Sequence, residues 1–166
     1  VFFGIGTSLA SLVAEMKAFW PESKGKIHID AWRKVAYVDG YEVHIEERKK
    51  VKEENPPHLY FVNLGGYIPG IFEEQHCKIL TVADGQAQAT QQAKKHPFYK
   101  QNSFEGAASH IDDKYGVDID EMFFVQDVLP AVHKERFAIK LKKTSQAKDI
   151  DETHIGYVKI ADLLNE

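Results

Sequence analysis

Imidazole and carboxylate side chains recur at two places in the second half of the sequence, and these groups suit metal binding or acid–base chemistry. Glu73 and His76 form the first group, and His110, Asp112 and Asp113 form the second. They are ligands for zinc or a similar divalent ion, and could equally supply a general base and an orienting acid. Their spacing matches no two-histidine helical motif. The favoured interpretation is therefore structural: a histidine bonded at a strand end and an acidic turn that caps a helix.

A glycine-rich stretch, Gly65-Gly66-Tyr67-Ile68-Pro69-Gly70, precedes the first of these groups. It predicts a flexible loop after an apolar strand, where the backbone can approach a ligand and Tyr67 can stack on a flat ring. It lacks the Lys-Ser/Thr of a phosphate loop, so a wide turn with glycines that relieve strain is the favoured alternative. If a pocket exists, we expect the two groups to converge beside this loop. The expected ligand-binding residues are Gly65, Gly66, Tyr67, Glu73, His76, His110 and Asp113.

A second glycine pair, Gly4 and Gly6, lies between a β-rich run and a helix, and Asp30 follows the next strand. In a dinucleotide-binding unit such glycines let the backbone approach a pyrophosphate, and the acid receives a ribose hydroxyl. The third glycine position holds Leu9, and a hairpin replaces the expected helical crossover. These glycines are therefore interpreted as turn residues, and nucleotide binding is kept as an alternative.

The elements that must position these residues follow a pattern that occurs twice. The fold prediction is α+β: two related strand-strand-helix-strand-strand units with mostly antiparallel sheets, in one compact domain. The first unit, residues 1–50, lacks its leading strand and is expected to be incomplete. A charged linker over 51–57 leads to the second unit, 58–145, which carries an insertion over 99–121. Residues 146–166 form a packed tail.

Local patterns predict several individual elements. A stripe of apolar residues and the hydroxyls of Thr7 and Ser8 predict a helix from Thr7 to Trp20, and Val1-Phe2-Phe3 predicts a strand before it. Asp39-Gly40 between two β-rich runs predicts a tight hairpin. A helix is expected from Asp84, as its cap, to His96. A second hairpin is expected near Lys134-Glu135.

The missing strand predicts an open sheet edge near Val1–Phe3 or Ile27–Ile29. Unpaired edges recruit another chain or are covered locally. We expect either the tail at Ile155–Ile160 or a second molecule to cover this edge, so a homodimer through the edge is one possible assembly.

Composition limits the environment and the partners. The net charge of −4 is interspersed along the sequence, so neither a nucleic acid nor a membrane is an expected partner. No apolar run reaches the roughly 20 residues of a membrane span. Cys77 is the single cysteine, which excludes an internal disulfide and fits a reducing, cytoplasmic compartment. The absence of an initiator Met suggests a trimmed N-terminus.

Several short motifs resemble one family. They are Asn63-Leu64-Gly65-Gly66, the acid and histidine at Glu73 and His76, the His-x-Asp-Asp at 110–113, and Val38-Asp39-Gly40-Tyr41. The chain is similar in these motifs to the bacterial domain-of-unknown-function family 1543, whose members carry the domain in one or two copies. The resemblance implies a first copy over Val1–Ile45 without its leading strand, and a second over Leu59–Leu141. It implies no activity, because the family has no assigned function.

The leading functional hypothesis is a small binding or interaction module in the bacterial cytoplasm, for a small molecule or a protein. No nucleophile, phosphate loop or metal signature stands out, and no cofactor is assigned. Whether the chain is an enzyme stays open. The alternatives are a metal-assisted hydrolase using His76, His110 and Asp113, and a nucleotide binder using Gly4 and Gly6 or Tyr67.

Overall fold

The fold is that of a computed structural model, which describes residues 1–50, 56–102, 110–111, 122–145 and 151–164. The helices are α1 (Val13–Phe19), α2 (Gln86–Ala93), α3 (Pro97–Gln101), α4 (Val125–Val128), α5 (Ala131–Arg136) and α6 (Ile160–Leu163). The strands are β1 (His28–Lys34), β2 (Tyr37–Val38), β3 (Tyr41–Glu47), β4 (His58–Tyr67), β5 (Glu74–Ala83), β6 (His110–Ile111), β7 (Met122–Phe124), β8 (Phe137–Lys143) and β9 (Glu152–Lys159). Short 3-10 turns lie at Ala10–Leu12, Pro21–Ser23 and Arg48–Lys50.

All described strands pair antiparallel, in three sheets. In the largest sheet β4 is central: it pairs with β5 over its whole length, and its other side pairs with β6 and β7. The second sheet has the order β2-β3-β8, and β1 pairs with β9 in the third. Helices combined with antiparallel sheets confirm the predicted α+β class. The division into two related units, with its boundaries, stays a prediction.

The β4–β5 sheet is buried between two layers. On one face, Val62 and Leu64 pack against α2, whose Ala89 and Ala93 let the helix backbone come close. On the other face, Phe61 and Val82 pack against the second sheet. Because both faces are covered, β4 is buried continuously from Leu59 to Gly66 and, apart from Asn63, does not alternate with polar residues there. The edge of β5 therefore lies between a helical layer and a β layer.

A separate apolar cluster holds the third sheet. Val13 of α1 packs against Ile160 and Leu163 of α6, and the partly buried Ile29 and Val158 join them from β1 and β9. The tail therefore covers β1, with His28 opposite Lys159 and Ile29 opposite Val158. Of the two predicted ways to cover an edge near Ile27–Ile29, the tail or a second molecule, pairing with the tail is confirmed for His28 and Ile29.

One predicted hairpin is confirmed and the other is wrong. Asp39 and Gly40 have φ values of 50° and 86°, the left-handed conformation that a tight two-residue turn requires, and they join β2 to β3. At Lys134-Glu135 the chain instead forms α5, and β8 pairs with β3 rather than with β7. The reason is that this segment has no residue suited to a positive φ.

Three further predictions need correction. Residues Val1–Phe3 form no strand; their apolar character serves packing, with Phe3 in edge contact with Phe61 at 5.5 Å between ring centroids. Asp84 does not cap α2, which begins after Gly85 without a side-chain cap. The helix ends at Ala93, short of His96, whose Nδ1 accepts the Phe98 amide at the start of α3.

Candidate functional site

The predicted glycine loop is part of a strand. Gly65, Gly66 and Tyr67 are the last residues of β4, and both glycines are buried. Tyr67 is half-buried, and its amide donates to the Asn102 carbonyl at 2.9 Å. The loop prediction was wrong for these three residues because a strand buried on both faces tolerates glycine where neighbouring layers come close. The turn itself lies further on, where Gly70 has a φ of 83°.

Two of the predicted histidines occupy one row of the sheet. Gly65 of β4 pairs with His76 of β5 on one side and with His110 of β6 on the other. The His76 ring nitrogen Nε2 lies 3.8 Å from the Glu74 carboxylate. Glu73 lies in the exposed turn before β5 and accepts from the Gln75 side chain at 3.0 Å. Asp112 and Asp113 lie outside the described residues.

Metal binding at this row stays an alternative. Within the described ranges, no group of three histidine, cysteine or acidic side chains is close enough to hold an ion.

The Gly4 and Gly6 pair is used for packing. A Cβ on Gly6 would lie 2.6 Å from the Ser11 hydroxyl, and one on Gly4 would lie 2.8 Å from the Phe2 ring. The residues before the pair form no strand, so the strand-turn-helix geometry of a dinucleotide site is absent from this described segment. Ser8 does accept the Ser11 amide at 3.2 Å, as the sequence predicted.

The outer edge of β5 forms the floor of an open cleft of about 850 Å³. Backbone groups alternate along a strand, so every second residue directs its amide and carbonyl away from β4. The Val82 amide is one of these, because it donates to the Asp39 carboxylate at 3.0 Å. By this alternation Leu80 and Lys78 present their amides and carbonyls to the cleft. No backbone partner for these groups lies in the described part of the chain.

Asp39 closes one end of this edge. Its carboxylate lies in the β2–β3 turn, where it accepts the Val82 amide and, at 2.7 Å, the Thr81 hydroxyl. The same hydroxyl hydrogen-bonds the Gln92 side chain of α2. The turn, the strand edge and the helix are thereby joined at one point, and the edge from Leu80 back towards the start of β5 remains accessible from the cleft.

The two walls of the cleft come from different layers. Gln88, Gln92, Lys95 and His96 line the α2 side. Arg33, Tyr41 and Lys143 line the side of the second and third sheets. Lys78 projects from the floor. Of these cations Arg33 is paired, with its Nε 2.5 Å from the Asp151 carboxylate.

Cys77 lies beside this floor as a half-buried thiol. Burial raises the pKa of the thiol, and the neighbouring Lys78 ammonium opposes the rise only in part. The thiol is therefore protonated near neutral pH, which does not suit a nucleophile. This placement fits the sequence interpretation of Cys77 as a small apolar residue.

One family comparison bears on this chain. The family described as Domain of Unknown Function (DUF1543) has a sequence model that matches residues 1–45. The resemblance to DUF1543 is thus confirmed over that segment. No curated protein and no solved structure matches the chain.

The segment that the DUF1543 model matches supplies part of one wall of the cleft. It runs from the N-terminus through α1 and β1 into β3, and it therefore includes Arg33, Asp39 and Tyr41. The floor and the opposite wall come from β5 and α2, beyond the matched residues. The cleft is thus formed where the matched segment packs against the later part of the chain.

Apart from Asp39 in the turn, the role of these residues in lining the cleft was not predicted from the sequence. Asp39 was recognised for its backbone conformation, but its carboxylate also binds the edge of β5. A local signal existed: Lys78 interrupts an apolar strand, as charged residues often do on sheet edges. Lys95 and Lys143 gave no such signal, because exposed lysines at the ends of elements are common. None of the described helices is long and apolar enough to cross a membrane.

Proposed function

We propose that this chain is a binding module that receives an extended segment of another protein along the outer edge of β5. The observation that carries the proposal is the Val82 amide, an outward-facing edge donor that already binds a carboxylate. Leu80 and Lys78 present further donors and acceptors in the same line. A peptide that pairs with them would add a strand to the sheet, which is a recurrent mode of peptide recognition.

The shape of the cleft suits such a strand. Adjacent strands lie about 4.8 Å apart, so an added strand would occupy the space directly beside β5. Because α2 lies on one side of the sheet and the β2–β3 hairpin on the other, both faces of the incoming strand would meet a wall. Alternate side chains would contact opposite walls. Main-chain pairing would give affinity and the walls would give selectivity.

The competing interpretation is a sheet edge that is merely protected from aggregation. Natural edges carry lysines and covering loops for that purpose, and Lys78 and the Asp39 turn fit this description. The two interpretations differ in what happens when a suitable peptide is added. A protected edge rejects it, whereas a binding edge pairs with it.

Proline substitution separates backbone pairing from side-chain contact. Lys78→Pro removes one outward amide, and it leaves the β4–β5 ladder intact because proline is tolerated on edges. Lys78→Ala keeps the amide and removes the charge. The probe is an acetylated peptide of about ten residues with alternating Thr and Glu, a usual strand length. Lys78→Pro should abolish binding, whereas Lys78→Ala should weaken it by only about threefold, the contribution of one exposed ion pair.

Amide exchange measured by NMR provides the direct readout. The Lys78 and Leu80 amides should exchange rapidly in the free protein and slowly with the peptide present. Two results would contradict the proposal. One is protection of both amides in the free protein, which would mean that the edge is already paired. The other is binding that Lys78→Pro does not change.

Metal-assisted hydrolysis is a second candidate, favoured by the backbone row that joins His76, Gly65 and His110. His76, His110 and Asp113 would supply ligands or a general base. Metal analysis of protein purified without chelators tests this candidate. A stoichiometric divalent ion that is lost in His76→Ala but kept in His154→Ala would support it, and a metal-free protein would refute it.

We further propose that the module acts in the bacterial cytoplasm. Support comes from its single cysteine, which is a thiol, and from the family resemblance.

A further inference from the structure

The cleft beside β5 is locally cationic although the chain as a whole carries a net charge of −4. Lys78, Lys95 and Lys143 all line it, together with the paired Arg33. No ion pair within the described ranges involves any of the three lysines. The lining also holds two acids, Asp39, which binds Thr81 and Val82 at one end of the edge, and Asp84, so with Arg33 paired to Asp151 the three lysines leave an excess of one positive charge.

These cations lie on both walls and on the floor. Lys95 follows α2 on one wall, and Lys143 ends β8 on the other. Leu80 and Val82 of β5 face the second sheet, so alternation places Lys78 on that side too. A strand added to β5 would direct alternate side chains towards Lys95 on one face and towards Lys78 and Lys143 on the other.

We infer that the partner segment is acidic, with carboxylates on both faces and most of them on the side of Lys78 and Lys143. This inference rests on the proposed function and specifies its partner. Carboxylates across from unpaired ammonium groups add favourable electrostatics and suppress wrong partners. A basic or neutral segment would leave the three lysines without counter-charges.

A second copy of this chain fits the cleft less well. Antiparallel pairing of β5 with its own copy would place the two Lys78 side chains, and the lysines of the facing walls, close to one another. Like charges across such an interface are unfavourable. An acidic segment of a different protein is therefore the occupant that the charges select.

Three peptides of identical length test the inference by fluorescence anisotropy. They alternate Thr with Glu, Gln or Lys, and the alternation shifts by one residue at the middle of the peptide, so the variable residues lie on both faces of the strand and only the charge differs. The Glu peptide should bind at least about tenfold more tightly than the Gln peptide, and the Lys peptide should not bind. The preference for Glu should shrink between about 0.05 and 0.5 M salt, because partly exposed charges are screened.

A pair of double variants locates the charges. Lys95→Gln with Lys143→Gln should weaken binding of the Glu peptide about tenfold, because each exposed ion pair contributes modestly to the binding free energy. Binding of the Gln peptide should not change. Lys100→Gln with Lys142→Gln removes two exposed lysines outside the cleft lining and is the matched control. It should leave both affinities as they are. Circular dichroism checks that each variant is folded.

The outcomes separate this inference from the proposed function. Equal binding of the Glu and Gln peptides, with protection of the Lys78 and Leu80 amides, would overturn the acidic partner and keep strand addition. Failure of all three peptides to protect those amides would overturn both. Inorganic phosphate that competes with the Glu peptide and binds Lys78→Pro equally well would indicate a simple anion site. A dimer in sedimentation that Lys78→Pro dissociates would assign the edge to a second copy.

Discussion

Two sheet edges of this molecule differ in whether another strand pairs with them: the side of β1 that faces β9, and the outer side of β5. On the first of these, β9 pairs with β1 at six positions around an irregularity between Ile29 and Ala31, whereas no strand in the described part of the chain pairs with the outer side of β5. The other side of β1 also has no partner strand within the described residues. Each edge is also held by one carboxylate. Asp151 lies beside β1, is 9% exposed and accepts from Arg33 and from two backbone amides. Asp39 lies at β5, is exposed, and accepts from one amide and one hydroxyl.

The difference indicates which edge is structural. At β1 the tail contributes buried side chains as well as backbone pairing, so this edge belongs to the folding unit. At β5 only the far end is held, by a side chain that reaches across from another layer. Lysines beside the β5 edge lower its aggregation risk without covering it, so the edge stays available for a binding role.

The largest loss of stability should follow from removing β9, the strand that pairs with β1. Truncation after Asp151 removes β9 and α6, and with them the buried Ile160 and Leu163. We expect a loss of at least about 4 kcal/mol in the free energy of unfolding, since each large buried side chain is worth about 2–5 kcal/mol. Urea denaturation measures it. Self-association should accompany the loss, because the β1 edge becomes available.

A matched control for this truncation is Leu164→Ala, at the exposed end of the same helix. It should change the free energy of unfolding by less than about 0.5 kcal/mol. If the truncated protein unfolds at the same urea concentration as the full chain, β9 does not stabilise β1 and the contrast between the two edges disappears.

The next largest loss of stability should follow from replacing Asp151, the carboxylate beside β1. Asp151→Ala leaves Arg33 and the Ala36 and Tyr37 amides without their acceptor, where the bonds measure 2.5, 2.9 and 2.9 Å. Removing this buried acceptor from three partly exposed donors should cost about 1–3 kcal/mol in the free energy of unfolding. The measurement is again urea denaturation. A loss below about 1 kcal/mol would show that water replaces the carboxylate and that the site is effectively exposed.

Asp39 should matter less for stability. Asp39→Gly keeps the positive φ accessible while it removes the carboxylate, and Asp39→Asn keeps an acceptor in the same place. We expect a loss of about 1 kcal/mol for glycine and less for asparagine, because this carboxylate is exposed. Asp39→Gly should also free the Val82 amide, so its exchange rate should rise while that of amides bonded to β4 stays unchanged. Equal protection of Val82 in both variants would contradict the role of this bond.

Structural features with a local cause were predictable from the sequence, and features that depend on distant parts of the chain were not. The Asp39-Gly40 hairpin was predictable because positive φ is a property of those two residues. Covering of the Ile27–Ile29 edge by the tail was predictable because unpaired edges are avoided. The buried state of Gly65 and Gly66 was not, since it depends on layers contributed by distant parts of the chain. The cleft was hidden for the same reason: Lys95 and Lys143 lie 48 positions apart and meet only around β5.

The smallest effect is chemical and reports on the cleft without altering the fold. Cys77 lies beside the edge, and burial raises its pKa, so less thiolate is present at pH 8 than for a free thiol. Alkylation by iodoacetamide should therefore be slower than for a cysteine in an unfolded peptide, and it should accelerate as the pH rises through the raised pKa. Adding the alternating Thr and Glu peptide should slow alkylation further in the parent protein and in Lys78→Ala, but not in Lys78→Pro. The thiol lies on the face of β5 that packs towards α2, whereas the amides that would pair with the peptide point outward from the strand edge. If the peptide slows alkylation in all three proteins, it covers the cleft without pairing to the strand.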